Sequence, residues 1–246
     1  MSLTKTDKTT LAGLYISKYN QMALQELGFT GMWEAFNVIG YSLGSSPASV
    51  KNYRDEFDRL FPDNPRKGWQ RPLKARSQRL FSEFQNLDFL SFTDLIKSFL
   101  IPHYEDEKVV STTMEIDKSE SVAKRLITGK AAEEYFRVIY PSVNEFKGYE
   151  LKDTTYLACG FDFKLSHMSD FYCVEVKGLN RNSGSILVTE KEYSVAKELK
   201  NRYCLFIVKN FVEKPSHFYY FDPLNAGIRF AKSERNIIQV SYLATL

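Results

Sequence analysis

The stretch GFDFKLSHMSDFYCVEVKG, residues 160–178, sets the reading of the second half of this chain. Its two limbs are rich in aromatic and β-branched residues, which predicts two strands joined by a short turn through His167–Asp170. Side chains alternate across a strand, so Glu175 and Lys177 share one face while Val174 and Val176 share the other. A carboxylate and an ammonium then stand side by side on one sheet surface. A tight turn brings Asp162, on the preceding strand, near that pair. Gly160 before the aspartate and Gly178 after the lysine permit close approach of other backbone.

Outward from this core, residues 119–139 read as an amphipathic helix interrupted at Gly129 and ended by Pro141. The strand-like segments are TTYLACGFDFKLS, DFYCVEVKG and SILVT. TEKEYSVAKELKN reads as a helix with Thr189 and Glu192 forming a capping box. YCLFIVKNF is so continuously apolar that both faces are expected to be buried. HFYYFDPL and IIQVSYLATL complete the pattern. Helices flanking a mixed sheet make this half α/β or α+β.

Two carboxylates at one spot repel unless a cation joins them. Hard oxygen donors suit Mg²⁺, with Mn²⁺ able to substitute, and water and substrate phosphate complete the shell. A bound metal polarises a phosphodiester and helps form hydroxide. Lys177 can position or deprotonate the attacking water, or stabilise charge developing on the phosphate. The set Asp162, Glu175 and Lys177 therefore points to phosphodiester hydrolysis without a covalent intermediate.

These residues resemble a known pattern. Asp162 followed by Glu175-Val-Lys177 is similar to the PD-(D/E)xK nuclease superfamily. The wider set resembles the C-terminal domain of NO VEIN proteins that also occurs in bacterial restriction proteins. That set is Gly129-x-x-Ala132-Glu133, Gly160-Phe-Asp162, Glu175-Val-Lys177-Gly178 and Thr189-Glu-Lys-Glu192-Tyr-x-x-Ala196, with the Tyr203 strand and Asn210. It covers roughly residues 119–222, and Ala132 stands where the pattern has a second glycine. The resemblance implies a restriction-endonuclease-like mixed sheet. It also implies Asp162 and Glu175 as metal ligands, Glu133 as a supporting acid on the first helix with Glu134 competing for that role, and Lys177 as the catalytic lysine.

Residues 1–100 read as helices, with apolar positions three and four apart and breakers at Gly28–Gly31, 44–47 and 63–65. Residues 101–118 lose that period and read as a linker to a catalytic domain at 119–246. Within the first domain, residues 32–61 have helix-turn-helix proportions, with Pro47 opening the second helix. That second helix is expected to present Ser49, Lys51, Asn52, Tyr53 and Arg54 outward to DNA, with Asp55, Glu56 and Asp58 facing away. Trp33, Phe36, Phe57 and Phe61 read as core. Next comes a run containing Arg66, Lys67, Arg71, Lys74, Arg76 and Arg79 with no acidic residue, suited either to a solvated face or to phosphate contact.

Composition limits the alternatives. A net charge of +3 is too small to imply a polyanionic partner by itself, so the local basic run carries that argument. Three cysteines, none in a CxxC pair, suggest neither a disulfide framework nor a zinc ribbon, and three histidines are too few for a His-based metal site. With no apolar run at the start and none long enough to span a bilayer, the expected setting is the cytoplasm of a bacterial cell, with no membrane partner.

The sequence thus predicts a Mg²⁺-dependent endonuclease acting on duplex DNA in restriction or defence. Duplex DNA is the expected partner. A homodimer follows if both strands are cut near one site, and a cognate methyltransferase accompanies a restriction role. The alternatives are a non-catalytic DNA- or protein-binding module on the same fold, or a nuclease acting on RNA or damaged DNA.

Overall fold

The computed structural model describes residues 3–102, 104 and 122–233. Helices α1 (Lys5–Glu26), α2 (Met32–Ser42), α3 (Pro47–Phe57), α4 (Ala75–Phe84) and α5 (Phe89–Leu100) form the N-terminal part. Helix α6 (Val122–Ile139) leads into strands β1 (Glu150–Asp153), β2 (Phe163–His167) and β3 (Asp170–Leu179). Helix α7 (Glu190–Leu199) and strands β4 (Tyr203–Lys209) and β5 (Ser216–Phe221) follow. The fold is α+β.

The five strands lie in chain order, β1-β2-β3-β4-β5. All neighbours are antiparallel except β3 and β4, which run parallel. That parallel pair requires a crossover, and α7 provides it. As its composition predicts, β4 is buried from Tyr203 to Val208. One face of the sheet, with Phe163, Val174, Val176, Phe206 and Val208, packs on α6 through Phe136. The other carries a small cluster of Cys173, Ala196 and Tyr203 beneath α7.

Several local expectations change. The segment 185–189 is not a strand, and Leu187 is 80% exposed. Strand β3 already has β2 on one edge and β4 on the other, so this segment has no open edge beside it and serves as the crossover. Residues 154–162 are not strand either. Thr155–Leu157 form a 3₁₀ turn, and Ala158 and Gly160 take positive φ. The sheet gains β1 instead, at residues the alternation did not single out. Helix α6 passes through Gly129 without a break. The closing segment IIQVSYLATL at 237–246, the helix start at 119–121 and nearly all of the 101–118 linker lie outside the described residues.

Helix α2 packs against both α3 and α6. Polar contacts tie it to the C-terminal half. Glu34 pairs with Lys124 at 2.7 Å, Ser42 Oγ donates to the Ile127 carbonyl at 2.9 Å, and the Asn37 amide donates to the Phe211 carbonyl at 2.7 Å. Apolar residues from both halves form one continuous core.

Among the described residues, no helix is long and apolar enough to cross a membrane.

Candidate active site

In the β2–β3 register Phe163 stands opposite Val174, so Asp162, one residue earlier, falls opposite Glu175. Asp162 is held on both sides by backbone. Its N–H donates to the Val174 carbonyl at 2.9 Å, its carbonyl accepts from the Thr154 N–H at 2.9 Å, and its Oδ2 accepts from the Val176 N–H at 2.8 Å. Its side-chain direction is therefore set by strand geometry. Gly160, at φ +93°, delivers the chain into this position. A Cβ there would lie 2.8 Å from Val195 Cγ2 on α7, so the glycine permits both the turn and the close approach.

Glu175 is only 4% exposed and Lys177 is half-buried beside it. Lys177 Nζ lies 2.6 Å from Glu175 Oε1 and 2.8 Å from Glu192 Oε2. Glu192 is the N3 residue of the α7 capping box, and the same Oε2 accepts from the Thr189 N–H at 3.0 Å. The capping box is legible in the sequence, but the second role of its carboxylate is not. Its signal is an acid at N3 of the helix that crosses over the E-x-K strand.

Glu133 sits on α6. That helix lies close to β3 because Gly178 has no side chain: a Cβ at Gly178 would stand 2.9 Å from the Thr128 carbonyl and 3.2 Å from Ala132 Cβ. Burial pushes the Glu133 carboxyl up to about 7, with the Asp162 charge adding to the rise and Arg137 opposing it. Burial likewise raises Asp162, against the Val176 N–H and Lys177. Glu175 is raised by burial and by Asp162, which together outweigh its paired Lys177. Burial disfavours the Lys177 ammonium, yet Glu175 and Glu192 more than compensate and hold its pKa above the ordinary lysine value. Asp153 also bears on the site, since its charge adds to the rise at Glu133 and Asp162 while Arg137 pairs with it.

Five carboxylates (Glu133, Asp153, Asp162, Glu175 and Glu192) thus face two cations, Lys177 and Arg137. This excess of carboxyl groups in a partly buried site fits a divalent cation, which would offset the burial that raises Glu133, Asp162 and Glu175. Among the described residues, no group of three or more acidic, His or Cys side chains is gathered tightly enough to hold a metal. The donor set that fits is a carboxylate pair, Asp162 and Glu175, with water and phosphate completing the shell and Glu133 nearby. Glu134 pairs with Arg137 instead, which favours Glu133 for the supporting role.

The predicted DNA-contact residues divide. Asn52 is exposed and Ser49 half-buried, while Lys51 pairs with Asp55 at 2.9 Å. Arg54 corrects the outward reading: it is 3% exposed and turned toward Asp58. Asp55, Glu56 and Asp58 are buried rather than solvated on a far face. They fasten the following loop: Asp55 and Asp58 take Arg66, the Asp55 carbonyl takes the Trp69 N–H, and Glu56 takes the Lys74 N–H. Of the basic run, Arg76 and Arg79 both reach Asp7, and Arg79 also reaches Glu83. Lys67, Arg71 and Lys74 are exposed and form no ion pair among the described residues, with Arg71 lying 3.9 Å above the Trp69 ring. Phe36 and Phe57 are buried and Phe61 packs against the core, but Trp33 is 62% exposed.

An Asp–Glu–Lys site on a mixed sheet, with one helix behind it and one above, defines the architecture of the C-terminal half. Residues 132–221 match the family model described as Protein NO VEIN, C-terminal, a family associated with a PD-(D/E)xK-like nuclease fold. The match covers less than half of the chain. It contains Glu133, Asp162, Glu175, Lys177 and Glu192, and the helical part lies outside it. No curated protein and no solved structure matches the chain.

Proposed function

We propose that this chain is a Mg²⁺-dependent endonuclease of PD-(D/E)xK type that hydrolyses phosphodiester bonds of duplex DNA in a restriction or defence role. The observation that carries the reading is the pairing of Asp162 with Glu175 across two strands, with Lys177 two residues along on the same face. The family match over the same residues supports it.

Asp162 and Glu175 would hold the ion, with Glu133 behind them. When bound, the metal supplies Lewis-acid polarisation of the phosphoryl group and a lower pKa for water. Lys177, as an ammonium, donates from Nζ toward a phosphate oxygen and stabilises the charge that grows there. Glu192 acts as a positioning residue, restricting where that ammonium can sit. The exposed cations Lys67, Arg71 and Lys74, with Asn52 of α3, supply the phosphate and groove contacts of the helical part. Cutting both strands calls for two such sites and hence a homodimer, and a restriction role calls for a cognate methyltransferase.

The test is cleavage of methylated and unmethylated plasmid DNA with Mg²⁺, Mn²⁺ or EDTA, beside Lys177→Ala and Asp162→Ala. Metal-dependent products from the wild type, with activity lowered by about 10²-fold or more in each variant and DNA binding retained, are the expected result. A second readout needs no turnover: Ca²⁺ or Mg²⁺ raises the melting temperature of the wild type but not of Asp162→Ala. Undiminished cleavage in either variant overturns the assignment.

A further inference from the structure

On the helical part, away from the carboxylate cluster, an open cleft of about 370 Å³ lies between α1, α2, α3 and the loop after α3. This volume is at the lower end of the range for small-ligand sites, about 300–1,000 Å³. The cleft contains a large aromatic surface, since Trp33 is 62% exposed and is braced on one side by Phe36 in an edge contact of 6.1 Å. It contains cations: Lys51, Arg54 and Arg66 line it. Against them stand Asp55 and Asp58, leaving one positive charge in excess. It also contains amides, Asn20 at a helix kink with φ +42° and Gln21 beside it. Neither amide side chain has a hydrogen-bond partner among the described residues.

Arg54 is the most telling element. It is 97% buried, its Nε has no hydrogen-bond partner, and its nearest acid is Asp58 at 3.6 Å, beyond hydrogen-bond reach. Its pairing with Asp58 is therefore long and incomplete, and the guanidinium borders the cleft with its charge only partly compensated. Stacking surface, base-edge amides and an under-satisfied guanidinium are the three features that together recognise a nucleotide.

We propose that this cleft is a binding site for one unstacked nucleotide, its base lying on Trp33 and edged by Asn20 and Gln21, its phosphate drawn by Arg66 and Arg54. The inference rests on the DNA-directed reading of the chain and deepens it. The helical part receives a nucleotide lifted out of the helix stack, in addition to gripping the backbone.

The test uses the full-length chain carrying Trp69→Phe, which leaves Trp33 as the single tryptophan. Deoxynucleoside monophosphates, deoxynucleosides and inorganic phosphate are titrated while Trp33 fluorescence is read. Saturable quenching is expected, with at least one monophosphate binding about ten-fold or more tightly than its nucleoside or phosphate alone. Arg66→Gln should narrow that gap. Trp33→Ala, at an exposed position, keeps the fold and should weaken binding of that monophosphate, read by calorimetry, by about ten-fold or more. Three results overturn the proposal: no quenching by any monophosphate, equal binding of nucleoside and nucleotide, or conversion of a dimer to a monomer by Trp33→Ala, which would make the cleft a contact between copies. Plasmid cleavage by the same preparation separates the two readings. Cleavage without quenching removes the cleft and leaves the nuclease. Saturable nucleotide binding without cleavage under any metal condition supports the cleft and removes the nuclease.

Discussion

Glu192 Oε2 lies 2.8 Å from Lys177 Nζ, and the same oxygen closes the capping box of α7 by accepting from the Thr189 N–H. One carboxylate therefore couples the start of the crossover helix to the lysine of the candidate site. Glu192→Gln can keep the cap through its amide oxygen but loses the charge facing Lys177. Glu192→Ala loses both. We expect thermal unfolding to show a cost of about 0.5–2 kcal/mol for the alanine variant and less for the glutamine variant. Single-turnover cleavage should be slower in both. Wild-type rates in Glu192→Gln would remove its positioning role.

Gly178→Ala places a methyl 2.9 Å from the Thr128 carbonyl. Backbone cannot yield there as a flexible side chain would, so α6 must shift away from β3. The expected loss is about 1–3 kcal/mol of stability, read by denaturant unfolding. Weaker metal-induced stabilisation should accompany it, because α6 carries Glu133.

Lys124 and Glu34 form a buried pair between α6 and α2. Burial disfavours the Glu34 carboxylate, but Lys124 and Thr30 hold its pKa below the ordinary value. Lys124→Met leaves that charge without its partner, and about 3–5 kcal/mol should be lost. Adding Glu34→Gln should recover a substantial part of it. Equal stability of the single and double variants would show that the pair does not couple the two helices.

The basic run should divide by partnership. Lys67, Arg71 and Lys74 make no ion pair among the described residues, whereas Arg76 and Arg79 share Asp7. Replacing Arg71 or Lys74 by Gln should reduce the salt slope of DNA binding by about one each. Replacing Arg76 should change it less. The reverse order in a salt titration would show that this loop does not meet phosphate.

Asp7 links α1 to α4, and its carboxyl is held below the ordinary 3.8 by the Thr4 hydroxyl, against burial, with help from the Thr4 N–H, Arg79 and Arg76. A depressed acid stabilises the fold above its unfolded pKa and loses that contribution as pH falls through the folded value. Stability of the wild type should therefore decline below about pH 4 more steeply than that of Asp7→Asn, which starts lower and stays flatter. Parallel curves in acid would remove this contribution.

Periodicity was sufficient for the helices of the first half, the hairpin turn at His167–Asp170, the buried β4 and the shared face of Glu175 and Lys177. Each follows from short-range rules: 3.6 or 2 residues per repeat, a cap, a turn. The strand expected at 185–189 failed because a β-branched run forms strand only where a sheet edge is open, and β3 has none. Trp33 and Arg54 exchanged their expected places because burial of an amphipathic helix depends on which neighbours crowd it. α3 is pressed against α1 and by the loop it fastens, while the Trp33 face of α2 is left beside a cleft.

The sequence by itself determined that Asp162, Glu175 and Lys177 lie together, because strand alternation and a short turn bring those residues to one place almost independently of the rest of the fold. Only the tertiary structure decided what surrounds them. Glu192 arrives from a crossover helix, Glu133 from a helix admitted by Gly178, and the Trp33 cleft from four successive segments between residues 20 and 66. Contacts between such segments depend on packing geometry, which no local period encodes.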